Sequence, residues 1–225
     1  MKDNRDRSDR RIEVDVAEFV RQNTEISAPA HVPEIRLHLA TEINPLWRKT
    51  ENELEEIGLP PPFWAFAWAG GQGLARYILD NPQLVRGKSV IDFACGSGLV
   101  GIAAAMAGCR QVTCVDTDLF CQDAVKLNSA LNGVTLSCTT ANIVSNEVFA
   151  DAVLAGDVFY DRELAAQLSP WFSKLAEHGK TILVGDPGRS YLPSERLTEL
   201  AVYEVPSSRE LEDSEVKRTT VWRFS

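Results

Sequence analysis

Val90-Ile91-Asp92-Phe93-Ala94-Cys95-Gly96-Ser97-Gly98-Leu99-Val100-Gly101, with Val115-Asp116 one strand further on, is the stretch on which the fold turns. An apolar run ending in an acid predicts a strand. The glycine-bearing turn after it lets backbone approach a ligand closely, and small residues over 99–107 predict a helix stopped at Gly108. A second strand over 111–115 carries Asp116 to the same sheet edge, where a carboxylate can accept two hydrogen bonds from a ribose diol. Gly96, Gly98 and Gly101 match G-x-G-x-x-G, a pattern with weight only between a strand and a helix, which is its setting here.

Charge separates the candidate ligands of such a turn. A dinucleotide places a pyrophosphate there, which an acid at Asp92 would repel; S-adenosylmethionine has no phosphate and carries an ammonium and a sulfonium. The residues therefore favour methyl transfer over hydride transfer. The chain of 225 residues has a net charge of −9 and a pI near 4.9, which argues against non-specific nucleic-acid binding and suits a basic peptide or protein loop. Cys95, Cys109, Cys114, Cys121 and Cys138 show no C-x-x-C spacing and read as reduced thiols of a cytoplasmic protein. His31, His38 and His178 lack the close pairing of metal sites, so no metal is expected. No segment has the apolar length to cross a bilayer. Acids interleaved with Arg over residues 2–11 read as a solvated tail rather than a transit peptide.

The spacing of Val16, Phe19 and Val20 predicts a short helix over 14–22, and the Pro-marked stretch 29–45, with Ile35, Leu37, Leu39, Leu46 and Trp47, a packed accessory layer. Together they make residues 1–59 a partly helical N-terminal extension. Pro60-Pro61-Pro62 then delivers the aromatic run 63–68 to a ligand-binding domain over 60–225. Helices are expected over 73–79, 119–131 and 163–176, and strands over 89–93, 111–115, 136–140, 152–155 and 181–184. Such alternation makes an α/β, doubly wound parallel sheet with ligands at the carboxyl ends of its strands. Residues 197–204, a charged loop and 219–224 read as a helix end and strand, then a hairpin-like final strand added antiparallel.

Asp92, Asp116, Asn142 and Asp157 all fall at expected strand ends and should share one crevice, although each alone is also a common turn or cap residue. Asp118 is expected to cap the next helix and leave Asp116 to the ligand. Asp157 and Tyr160, three apart, can present a carboxylate and a phenol to an amine that must lose its proton before attacking a sulfonium. Trp68 precedes Ala69-Gly70-Gly71-Gln72-Gly73, a stretch that reads as too glycine-rich for a helix interior and suited to lying against a ligand. Residues 185–189 have turn composition, with Arg189 a candidate for the substrate entrance.

Together these residues resemble the seven-β-strand, Rossmann-like class I methyltransferases that use S-adenosylmethionine, from about Pro60 onward. The run from Trp68 to Leu74, the D-x-x-Y at Asp157–Tyr160 and the Leu127-Asn128 to Asn132-Gly133 helix resemble the protein-lysine methyltransferases. Gly-Asp-x-Phe-Tyr-Asp at 156–161 and Gly-Asp-Pro-Gly-Arg at 185–189 are similar to the group acting on the electron transfer flavoprotein β-subunit. The resemblance implies a mostly parallel seven-stranded sheet, with Asp92, Gly96 and Gly98 at the methionine part, Asp116 at the ribose and Asn142 near adenine. It also implies that Trp68 closes over the cofactor and that Asp157 faces the acceptor lysine. Members of the group in eukaryotes are mitochondrial, and the lack of a transit signal over residues 2–11 favours a bacterial, cytoplasmic homologue. Ala94 stands where the usual pattern has its first glycine. A small-molecule N-methyltransferase and a non-catalytic cofactor-binding module remain alternatives on the same fold.

Overall fold

The computed structural model describes residues 15–40, 61–207 and 214–225. The tail at 2–11, Leu46, Trp47, Pro60 and the domain boundary expected at 59/60 lie outside them. A seven-stranded sheet organises the fold, with β3 (Ser89–Phe93), β4 (Gln111–Val115), β5 (Ser137–Thr139), β6 (Ala152–Gly156), β7 (Thr181–Asp186), β8 (Leu197–Pro206) and β9 (Val216–Phe224) in the order β5-β4-β3-β6-β7-β9-β8. Neighbours from β5 to β7 pair parallel, while β9 pairs antiparallel with both β7 and β8. The sheet is therefore mostly parallel, as expected, and the strand order reverses between β3 and β6. A crevice at the carboxyl ends of those two strands is where such a sheet binds its ligand.

Period-two alternation sends successive residues of each strand to opposite layers. Val90, Ala152, Leu154 and Leu183 face one core, shared with the helices α2 (Ala69–Asp80), α3 (Leu99–Met106) and α4 (Phe120–Leu131). Ile91, Phe93, Val153, Ala155, Ile182 and Val184 face the other, under α5 (Arg162–Glu177), where Trp171 and Phe172 pack. The extension contributes α1 (Val16–Asn23) and the antiparallel pair β1 (Glu25–Ser27) and β2 (Leu37–Leu39), and its Ile35 and Leu37 are fully buried in the first of these cores. Buried Asn128 of α4 accepts the His38 amide at 2.7 Å and donates to the Ser97 carbonyl at 2.8 Å, so one amide side chain joins β2 to the glycine turn.

Two expectations are corrected. The glycine stretch 69–73 begins α2 instead of preceding it. A side chain on Gly70 would overlap Gly185 O and Asp157, and one on Gly73 would come within 2.7 Å of Thr219 Cγ2. Glycine's poor helix propensity, about 1 kcal/mol against Ala, is outweighed by the close seating of the helix on the strand ends. Residues 197–206 are strand from their first residue, with a register shift at Glu199/Ala201.

Candidate active site

Strand ends and the loops that leave them enclose a cavity of about 560 Å³. Its wall includes Trp68, Gly96, Asp116, Asn142, Asp157 and Tyr160, so six of the eight residues expected to act on ligands meet there. Asp92 and Gly98 do not line it. The turns on both sides of the switch point hold a non-glycine residue in the left-handed region, Ala94 at φ +51° after β3 and Asp157 at φ +58° after β6. Such positions cost on the order of 1–2 kcal/mol and collect at functional sites.

Asp116, at the end of β4, accepts the Gly96 amide on Oδ2 at 2.9 Å and the Asp118 amide on Oδ1 at 3.1 Å, which leaves acceptor capacity for a ligand. Asp118 accepts the Phe120 amide at 2.9 Å in a turn one position ahead of Leu119, the N-cap of α4, so the expected side-chain cap is replaced by this turn. Burial holds the Asp118 carboxyl above its ordinary range, the Phe120 bond opposing and the Asp116 charge adding to it. Asn142 uses its Oδ1 on the Val144 amide at 3.0 Å, shaping the loop after β5 while remaining exposed in the wall.

Asp92 takes a different place from the one expected. Its position in β3 turns it toward α3, where Oδ2 accepts the Gly101 amide at 2.8 Å with the side chain almost wholly buried. It thus fills the anion-binding position of the α3 N-terminus with the chain's own carboxylate. Burial pushes its pKa well above the ordinary range, the Gly101 bond working against this and the Asp116 charge with it. Gly101 has to be glycine, since an added Cβ would lie 3.0 Å from Asp92 Oδ2 and 2.9 Å from Cys114 Sγ. Gly98, at φ +79°, is the N-cap of α3 with Val125 3.0 Å from where its Cβ would be, so the corner it makes requires glycine.

Asp157 is 8 % exposed and fully engaged. Oδ2 accepts the Gly71 amide at 2.9 Å, and Oδ1 accepts both Nη2 and Nε of Arg189 at 2.6 and 3.1 Å. A carboxylate held this way ties together the loops that carry Gly71 and Arg189. The Trp68 indole donates to Phe63 O at 3.0 Å, packs edge-on to Phe63 and Phe66 and lies beneath the Arg189 guanidinium. Tyr160 is half-exposed beside Phe63. Burial first, then the charges of Asp116 and Asp161, raise its phenol above the ordinary range while Arg189 pulls the other way. Phe63, from the aromatic run 63–68, and Arg189, the candidate for the substrate entrance, both line the wall, and Gln167 joins them with no local sequence signal to mark it. Among wall residues the carboxylates of Asp116, Asp118, Asp157, Asp161 and Glu163 outnumber the one guanidinium, of Arg189. A pyrophosphate is disfavoured in such a wall, and a cationic ligand suits it.

All five cysteines are free, as expected. Cys121 in the cavity wall is pushed far up by burial and is no nucleophile, and burial likewise raises Cys109 to about 11.

Comparison with known proteins gives concordant results. The family description "ribosomal protein L11 methyltransferase" matches residues 74–184. The electron transfer flavoprotein beta subunit lysine methyltransferase of Danio rerio is 38% identical over 221 residues, covering 95% of this chain and 84% of that protein. The Xenopus laevis enzyme of the same name is 39% identical, covering 92% and 85%. A crystal structure described as a methyltransferase complexed with S-adenosylhomocysteine superposes with a TM-score of 0.53 at 13% identity, over 89% of this chain and 56% of that one, a likeness of fold.

Proposed function

The chain belongs to the electron transfer flavoprotein beta subunit lysine methyltransferase family, and we propose that it moves methyl groups from S-adenosylmethionine to lysine ε-amines of the electron transfer flavoprotein β-subunit. One observation carries this reading: Asp116, tied to the glycine turn, shares a single acidic cavity with Trp68, Asp157 and Tyr160.

The residues present fit that methyl donor. Asp116 has free acceptor capacity for a ribose diol, and the backbone of the Ala94–Gly96 turn borders the space for the methionine part. Asn142 with Ile143 and Val144 offers an edge and an apolar bed for adenine. The occupied N-terminus of α3 and the acidic wall suit a phosphate-free cation. When bound, the cofactor supplies an electrophilic methyl group on a sulfonium. The acceptor must arrive with a free lone pair, and neutralising a lysine of pKa near 10.4 at pH 7 costs about 4 to 5 kcal/mol. Tyr160, protonated at neutral pH, can accept a hydrogen bond from the amine and aim it. Asp157 fixes the surrounding loops. The reaction is an in-line displacement governed by positioning, and no covalent intermediate on the chain is required.

The acceptor side supports a protein substrate. Asp161 and Glu163 stand in the wall beside half-exposed Tyr160, so a lysine-bearing loop would be drawn in and would bind less well at high salt. The aromatic wall of Phe63, Trp64 and Trp68 also suits a flat small amine, which keeps a small-molecule N-methyltransferase as the second reading. Five free thiols support a reducing, cytoplasmic location. Purified flavoprotein incubated with this protein and methyl-labelled S-adenosylmethionine, beside a panel of free amines, tests the reading by mass spectrometry. Methylated lysines on the β-subunit are expected; an unmodified flavoprotein with a turned-over small amine would establish the second reading.

A further inference from the structure

Arg189 holds a cation between a carboxylate and an indole in the cavity wall. Its head group bonds Asp157 Oδ1 through two nitrogens, and its Cζ stands 5.8 Å from the centre of the Trp68 ring. A carboxylate on one side and an indole face on the other make a seat for an organic cation. Every part of it is fixed independently: Asp157 by the Gly71 amide at 2.9 Å, Trp68 by Phe63 O at 3.0 Å. The loop bearing Arg189 is held by Asp186, whose Oδ1 accepts the Gly188 and Arg189 amides at 2.7 Å each.

We propose that Arg189 determines acceptor specificity: its guanidinium fills the Asp157–Trp68 seat that fits an alkylammonium, so that a lysine presented by a docked protein displaces it and a free small amine does not. The proposal rests on the methyl-transfer reading above. The Arg189 side chain is 21% exposed and that of Asp157 9%, so the pair is shielded from water and is not the loose surface ion pair that separates at little cost. A docked protein can meet the cost of separation through contacts remote from the amine, for which exposed Tyr191, two residues beyond Arg189 with its amide on Phe159 O, is available. A free alkylamine brings only its own few atoms. Once Arg189 has swung away, Asp157 Oδ1 accepts from the incoming nitrogen, and a methylated product, still cationic, keeps its contact with the Trp68 face.

The test uses the full chain as wild type, Arg189→Ala, Arg189→Gln and Arg189→Lys. Tetramethylammonium binding is followed by Trp fluorescence and calorimetry, and turnover is compared between Nα-acetyl-lysine amide and flavoprotein. Arg189→Ala and Arg189→Gln are expected to bind tetramethylammonium at least about tenfold tighter than wild type, and to raise the ratio of free-amine to protein turnover by at least about tenfold. Arg189→Lys, which restores a cation, should return both toward wild type. Arg189→Gln keeps a neutral donor to Asp157 and serves where Arg189→Ala does not fold. Loss of both activities in proportion, with no gain in tetramethylammonium binding by a folded variant, overturns the proposal. The tetramethylammonium arm needs no acceptor protein. A gain there with no methylation of any protein by the wild type would leave the seat standing and sink the methyl-transfer reading instead.

Discussion

Asp116 Oδ2 accepts the amide of Gly96 at 2.9 Å, and this bond ties the end of β4 to the turn after β3 at the cavity wall. One carboxylate thereby shapes the turn and faces the ligand.

Asp116→Ala should therefore weaken cofactor binding in two ways, by loosening the turn and by removing the acceptor for the ribose hydroxyls. Charge-assisted bonds of this kind are together worth about 2 to 4 kcal/mol, or roughly 30- to 800-fold in Kd. Calorimetric titration with S-adenosylhomocysteine measures it. An unchanged affinity would remove Asp116 from the ribose site.

Ala94 holds φ +51° with its side chain exposed. Glycine at that position relieves a left-handed strain of about 1–2 kcal/mol and loses about 0.5–1 kcal/mol to the greater entropy of the unfolded chain. Ala94→Gly is expected to stabilise by up to about 1 kcal/mol, which is a rise of roughly 2–4 °C in melting temperature for a chain of this length. A fall in melting temperature would contradict the strained turn.

Gly70 and Gly185 press backbone to backbone, and a Cβ on Gly185 would overlap Gly70 O and come within 2.8 Å of Leu74 Cβ. Gly185→Ala should cost about 2–3 kcal/mol by overpacking. Gly87→Ala, where nothing lies within 4 Å and φ of +72° alone opposes the substitution, should cost about 1 kcal/mol. Denaturant unfolding of the two variants gives the comparison, and equal losses would deny the close seating of α2.

The parallel strands and the helices between them were legible because each buried strand is a short apolar run bounded by turn residues, as at 89–93 and 111–115. What stayed hidden depends on partners distant in the chain. Asp157 meets Arg189 across 32 residues, and no local pattern announces that pair. The glycines of α2 looked like a loop because their reason is the backbone of β6 and β7 pressed against them. Asp92 was placed at the right strand end, but strand alternation put its carboxylate under α3 instead of in the crevice. β8 carries Glu199 and Glu204 on exposed positions of a sheet edge, which masks its strand character.

Asp92 gives a pH-dependent prediction. Its folded pKa is raised, chiefly by burial, so the folded state holds this proton more tightly than the unfolded state does. Stability is then lost as pH rises above the unfolded value near 4, until the folded pKa is passed. Asp92→Asn removes that cost and keeps an oxygen for the Gly101 amide. The variant should melt higher than wild type at pH 8, with the gap closing toward pH 4, and its cofactor affinity should change little. A large loss of affinity would return Asp92 to the ligand.

Tyr160 separates orientation from proton removal. Burial and the Asp116 and Asp161 charges raise its pKa above the ordinary value of 10, so below pH 9 the phenol keeps its proton and cannot serve as a base. Turnover at limiting acceptor should climb with pH from 7 toward 10 as the acceptor lysine itself deprotonates. Tyr160→Phe should lower kcat by about 10- to 100-fold through the lost hydrogen bond to the amine, a cost of roughly 1.4 to 2.7 kcal/mol. The slope of the pH profile should stay as in wild type, because the titrating group belongs to the substrate. A flattened profile in Tyr160→Phe would make the phenol the proton acceptor after all, and an unchanged kcat would leave it a wall residue only.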